Sequence, residues 1–355
     1  MFRSPLLPAL AFCVAALAMG GPAQAQWWNP GPKPLPGNAP GSPQAPAEPA
    51  AYDVPLYYKA GSATVTAIFN EDFAKPDRMH DEFLATGKRS THGLFVVESL
   101  QYAWDNQFDT PEIGPMERTL AQWAKASPDS RLRRLVEAIK WQRQAWVARG
   151  GGYASSVPGE AMSVFRDRLA RATKALDSAG PEGKASPIWY WVALIVAGSS
   201  GQPASAFDAL YEEAAGRFPS YHTIHYTRMN YLLPQWGGSF DAVDDFVRKV
   251  VERTRESEGE AFYAWLYVDV ARKTDGDLFK VTRASWPRMK KGFEDMVARY
   301  PDAWNRNLFA TFACRARDKE TTARLLTELG AAARLGQGSP GYTTESCRRF
   351  AFEPA

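Results

Sequence analysis

Histidine and cysteine are scarce in this chain: four of the one and three of the other among 355 residues. The histidines are His80, His92, His222 and His225. His222 and His225 stand three apart, a spacing that puts both on one side of a helix. A zinc site needs at least a third ligand, and nothing in the sequence points to one. His222-Thr223-Ile224-His225 also lacks the glutamate of a metalloprotease helix. No Gly-x-Ser-x-Gly elbow, phosphate-binding loop, Cys-x-x-Cys pair or calcium loop occurs. Gly150-Gly151-Gly152 follows a helical pattern, so it reads as a helix stop and not as a phosphate cradle. The residues therefore name no catalytic group, cofactor or metal. A dominant charge is missing too: 42 basic against 39 acidic residues leave +3, which gives no ground for a nucleic-acid partner.

Long apolar runs are equally few. Leu6 to Ala18 is one, shorter than the roughly 20 residues a bilayer span needs. With Arg3 before it and Ala23-Gln24-Ala25 after it, the stretch 1–25 reads as a signal peptide cleaved after Ala25. The expected destination is periplasmic or secreted, with no stable membrane span after cleavage. Residues 26–50 read as a proline-rich linker, since Trp27 to Ala50 holds eight prolines in 24 residues and cannot bury a core. Cleavage removes Cys13 and leaves Cys314 and Cys347, an even pair expected to bridge in an oxidising compartment.

What the chain does have is helical periodicity. Residues 51–112 give mixed signals. Ala63–Phe69 has the β-branched residues and partial alternation of a short strand, and Gly93–Gln107 has helical spacing. Residues 113–335 read as an α-helical repeat domain, and 336–355 as a tail tethered by the disulfide. Ser127-Pro128-Asp129 resembles a helix start, with Ser127 as cap. Arg131, Arg133, Arg134, Lys140, Arg143 and Arg149 spread around that helix as surface charge. Asp244-Asp245 reads as solvated surface.

In Tyr231-Leu232-Leu233-Pro234-Gln235-Trp236-Gly237-Gly238-Ser239-Phe240, a helix halts at proline, turns on two glycines and restarts at a serine cap. Trp236 is expected to wedge between the two helices. Arg217-Phe218-Pro219-Ser220 returns as Arg299-Tyr300-Pro301-Asp302, 82 residues later. A restart near Gly259 divides the interval into hairpins of about 40 residues. The expected hairpins are Ser186–Phe218, Ser220–Thr254, Glu258–Tyr300 and Asp302–Gly330.

Asp302-Ala303-Trp304 and the following NRNLFATFACRARDKETTARLLTEL resemble a tetratricopeptide-type hairpin. The repeats are longer than the usual 34 residues, and the Trp-x-x-Leu-Gly-x-x-Tyr spacing is not met. QAWVARGGGY at Gln144–Tyr153 and YLLPQWGGS at Tyr231–Ser239 resemble an uncharacterised family of exported bacterial proteins, known only as a domain of unknown function. The resemblance covers roughly Phe83 to Gly330. It implies an all-α, tetratricopeptide-like α-solenoid behind a small irregular N-terminal region, and transfers no active-site residues.

The functional expectation is a scaffold that binds a protein or peptide partner in the cell envelope, in the groove of successive first helices. Tyr221, His225, Arg228 and Asn230 on one repeat, with Trp304, Asn305 and Asn307 on another, are the candidate groove residues. The alternative is an envelope hydrolase acting on glycan or peptide, with carboxylates gathered from several helices.

Overall fold

The computed structural model describes residues 54–274, 277–336 and 341–354. The expected signal peptide and proline-rich linker lie outside the described residues. Within them there are seventeen α-helices and no strand. They are α1 (Val54–Phe69), α2 (Lys75–Thr86), α3 (Val96–Gln107), α4 (Gly114–Ala126), α5 (Arg131–Arg149), α6 (Gly159–Ser178), α7 (Gly180–Gly183), α8 (Pro187–Ser199) and α9 (Ala204–Arg217). The second half adds α10 (His222–Asn230), α11 (Phe240–Glu258), α12 (Ala261–Ala271), α13 (Leu278–Val281), α14 (Trp286–Arg299), α15 (Ala303–Arg315), α16 (Lys319–Leu329) and α17 (Thr344–Phe352).

Each expected hairpin holds two long helices: α8 with α9, α10 with α11, α12 with α14, and α15 with α16. Between hairpins, α9 packs on α10, α11 on α12, α14 on α15, and α16 on α17. The first half is knit differently. There α1 packs on α3, α3 on α5, α5 on α6, and both α5 and α6 on α8. Buried side chains from Val65 to Ala351 form one continuous cluster.

The repeated proline junction has one backbone form. Phe218 (φ −133°, ψ 63°) and Tyr300 (φ −130°, ψ 74°) end α9 and α14 and donate their N–H to Ala214 O and Met296 O. Ser127 ends α4 in the same way, at φ −136°, ψ 71°, with its N–H on Trp123 O. Each precedes a proline, whose ring keeps the residue before it out of the helical region. Ser127 therefore closes one helix and does not open the next. The cap of α5 is Ser130, whose Oγ accepts the Arg133 N–H at 3.1 Å.

The elbow after α10 follows the sequence closely. Leu233 is buried, Pro234–Trp236 makes a 3₁₀ turn, and Gly237 is left-handed at φ 81°. A Cβ on Gly238 would lie 2.0 Å from Leu232 O, which only glycine avoids. Ser239 Oγ accepts the Ala242 N–H at 3.1 Å. Trp236 is half-buried, with its ring 5.0 Å from Tyr231 and 6.0 Å from Trp146.

Three further expectations need correction. Ala63–Phe69 is the end of α1 and not a strand, because Tyr57, Thr64, Val65 and Ile68 bury at helical spacing against α3. Lys140, Arg143 and Arg149 are buried, not surface charge. Lys140 Nζ meets Glu137 at 2.7 Å, Arg143 meets Asp109 at 2.6 Å, and Arg149 donates to Gly150 O and Gly152 O. Asp244 is buried, accepting from Tyr267 Oη and from the Arg283 N–H at 2.8 Å, while Asp245 is exposed. The tail after 336 carries α17, and Cys347 on it reaches Cys314 on α15, the expected pair, with the two sulfurs at bonding distance, 2.07 Å. Among the described residues no helix is long and apolar enough to cross a membrane.

Candidate functional site

The segment between α2 and α3 shapes the site. Gly87 is left-handed at φ 56° and ends α2. The chain then folds back on itself: Ser90 N–H bonds Leu94 O at 2.8 Å and Val96 N–H bonds Lys88 O at 2.8 Å. This small loop lies against the second half of the molecule. Arg89 Nη2 pairs with Glu258 Oε1 at 2.7 Å, Thr91 Oγ1 donates to Asp302, and Asn305 Nδ2 donates to His92 O at 3.2 Å. Phe95 stacks on Tyr221 at 5.7 Å. Gly93 has φ 99° and sits so close to the Tyr300 ring that a Cβ would come within 2.6 Å.

Between this N-terminal cover and the helices below it lies a cavity of about 130 Å³. Its floor comes from three first helices at helical spacing. These are His222 and Tyr226 on α10, Trp265, Val268, Asp269 and Arg272 on α12, and Trp304, Asn305 and Leu308 on α15. Its roof is Tyr57 and Tyr58 on α1, Tyr102 on α3, and His92 and Leu94 of the loop. Tyr57, His92 and Asn305 are buried, whereas Tyr58, Tyr226 and Trp304 are half-buried and Arg272 is exposed, which puts these four at the mouth.

A chain of polar side chains crosses the floor. His222 Nε2 lies 3.1 Å from Asp269 Oδ2, and Arg272 Nη1 donates to Asp269 Oδ1 at 3.4 Å. Burial opposes a charged His222, but the hydrogen bond and charge of Asp269 and the charge of Glu98 outweigh it and raise its pKa. Glu98 is fully buried behind the cavity, beside the first N–H groups of α10. Burial pushes its pKa up to about 7, against the pull of His222 and of the Thr223 N–H. Burial also lowers His92 to about 4, so its imidazole is neutral.

The expected groove residues divide. Trp304 and Asn305 line this cavity. Tyr221 packs beneath it and donates its hydroxyl to Gln101 Oε1 at 3.0 Å. His225 is held between Tyr211 Oη at 2.9 Å and Pro219 O at 2.6 Å. Arg228 pairs with Asp208 at 2.7 Å on the outer side of α9. Asn230 lines a separate cavity of about 60 Å³ beside Trp146 and Trp236. Asn307 is buried and donates to Ala303 O and Ala332 O. Among the described residues no group of three or more metal-binding side chains converges.

The α12 contribution went unread in the sequence. Its signal is an acid, Asp269, inside the otherwise apolar run AFYAWLYVDVA, every residue of which is buried. The roof had no local signal, since it meets the floor only through residues far apart in the chain, as His92 meets Asn305 across 213 positions. No family model, curated protein or solved structure matches the chain.

Proposed function

We propose that the chain is an exported, tetratricopeptide-like array of helical hairpins that holds a protein or peptide partner in the cell envelope. The observation that carries this reading is the cleft itself. Three successive first helices present Tyr226, Trp265, Trp304 and Arg272 to one opening. Aromatic rings and arginine are the side chains that anchor binding surfaces. The packing of α8 to α17 in chain order supports the stacked arrangement, and membership of the uncharacterised exported family belongs to the same proposal. The Cys314–Cys347 pair is compatible with an oxidising compartment.

The hydrolase alternative asks for two carboxylates facing one cleft. Asp269 is the carboxylate in this lining, and it is tied to His222 and Arg272. That arrangement favours binding over hydrolysis.

The test is a peptide array tiled from envelope proteins, probed with the purified, disulfide-bonded chain. Peptides should bind, and the double variant Trp304→Ala, Arg272→Glu should weaken them by at least about tenfold, as for two anchors at an interface. Retention of full affinity by the folded double variant would sink the placement of the site. An array without any binder would sink the function.

A further inference from the structure

Two polar atoms of side chains that line the cavity have neither a hydrogen-bond nor an ion-pair partner among the described residues. Tyr57 Oη and His92 Nδ1 are both buried, and both residues line the cavity. Their rings meet edge to face with centroids 5.2 Å apart. Burial keeps the phenol protonated and the imidazole neutral, so each group can donate or accept one hydrogen bond. A buried polar atom without a partner costs on the order of 1–3 kcal/mol. Such atoms in a cavity wall call for an occupant that supplies what they lack.

The remaining walls say what else the occupant must be. Leu94, Trp265, Val268 and Leu308 are apolar, Tyr226 adds an aromatic edge at the mouth, and the polar His222, Asp269, Arg272 and Asn305 are engaged with one another or with the His92 carbonyl. The volume of about 130 Å³ is close to the roughly 150 Å³ of an engineered protein cavity that accepts one benzene ring. The space therefore suits one six-membered ring with a single polar tip.

We propose that this cavity takes a phenol, the side chain of a tyrosine presented by the peptide partner. The ring lies among the apolar walls, and its hydroxyl meets Tyr57 Oη and His92 Nδ1. The assignment rests on the reading that a peptide docks at the mouth of this cleft. A benzyl group would fill the walls and leave both polar atoms bare, displacing any water that served them. A serine hydroxyl would serve the polar atoms and leave the walls uncovered. A site built to bond a hydroxyl rejects the analogue without it far more strongly than an apolar pocket rejects a missing methylene.

The experiment uses three acetylated, amidated pentapeptides, Gly-Gly-X-Gly-Gly with Tyr, Phe or Ser at the centre, titrated into the full chain by calorimetry. The tyrosine peptide should bind at least about tenfold more tightly than the phenylalanine peptide. In Tyr57→Phe, with folding checked by circular dichroism, that ratio should collapse towards one. Leu308→Trp, which fills the wall, should abolish binding of the tyrosine peptide. If Tyr57→Phe fails to fold, the wild-type ratio and Leu308→Trp still decide. Equal binding of the tyrosine and phenylalanine peptides would overturn the phenol assignment while leaving the cleft a peptide site. Tyrosine binding that survives Leu308→Trp in a folded protein would overturn it too. Failure of all three peptides, together with an empty envelope-peptide array, would overturn both readings.

Discussion

Arg89 and Glu258 are 169 residues apart in the chain and 2.7 Å apart in the fold. The carboxylate is almost wholly buried, and its second oxygen accepts the Tyr300 hydroxyl at 3.0 Å. The Arg89 guanidinium lies 3.9 Å over the Phe95 ring and also donates to Gly93 O. One side chain thus stiffens the loop between α2 and α3 and pins it to the end of α11. Removing it leaves a buried charge with one weak partner. Arg89→Ala should destabilise the fold by about 3 kcal/mol, the lower end for a broken buried pair. Denaturant titration measures this, and a shift under about 1 kcal/mol would show the pair to be a surface contact in energetic terms. Adding Glu258→Gln should recover part of the loss, because the uncompensated charge disappears. Hydrogen exchange should rise first in α1 and α3, the roof of the cleft.

The roof also depends on a glycine. Gly61 on α1 sits where a Cβ would come 2.1 Å from Ser99 O and 3.0 Å from the Ala103 Cβ on α3. The first obstacle is a backbone carbonyl, which cannot turn aside. Gly61→Ala should therefore push α1 away from α3, even though alanine is the better helix former by about 1 kcal/mol. The expected net loss is about 2 kcal/mol, within the range for overpacking. Tyr57, one turn earlier, should move with it, so binding at the cleft should weaken in the same variant. An unchanged or higher melting temperature would mean that the two helices are not in contact there.

The helices were legible because their signals are local. Ser186, Ser239 and Asp302 act as caps where their sequence context places them. The elbow at Leu233 to Ser239 needs only proline, two glycines and a serine, all adjacent. The misread places are those where a distant partner decides. β-branched residues in α1 signalled a strand, but their burial against α3 follows the helical period. Arg143 and Asp244 carry charges that sequence assigns to the surface, yet each finds a partner inside, Arg143 beside the buried Asp105 and Asp244 on Tyr267. The cleft was half-read for the same reason. Trp304 and Asn305 follow from the repeat, whereas Tyr57 and His92 reach it only once the N-terminal helices fold across.

The bond between Cys314 and Cys347 closes a loop across 33 positions and joins α15 to α17. Both sulfurs are buried, so the fold must loosen before a reductant reaches them. Cys347→Ser should lower stability by about 3–4 kcal/mol on the chain-entropy account. The loss should appear in thermal melting of the oxidised wild type against the variant. A difference below about 1 kcal/mol would mean that α17 holds its place through Leu335, Thr343 and its own packing, and that the bond adds little.

Glu98 sets the pH response. Its carboxyl is wholly buried, and burial raises its pKa from 4.5 to about 7. In the unfolded chain the same group ionises near 4.5. Between these values the folded state holds a proton that the unfolded state has released, so stability falls as pH rises through this window. Each pKa unit corresponds to about 1.4 kcal/mol, so the decline amounts to a few kcal/mol at most. His92 and His225 act in the opposite sense, because burial lowers them to about 4 and about 3. Their stabilisation is lost as pH falls from about 6.5 towards those values. Glu98→Gln keeps the shape and removes the ionisation, leaving both histidines in place. The two proteins should then differ little at about pH 5, and the variant should become the more stable one, by on the order of 2 kcal/mol, at about pH 8. Melting curves across that range give the comparison directly. Parallel stability profiles would mean that the carboxylate stays charged in the fold, held by His222 and the N–H groups at the start of α10 more strongly than burial opposes it.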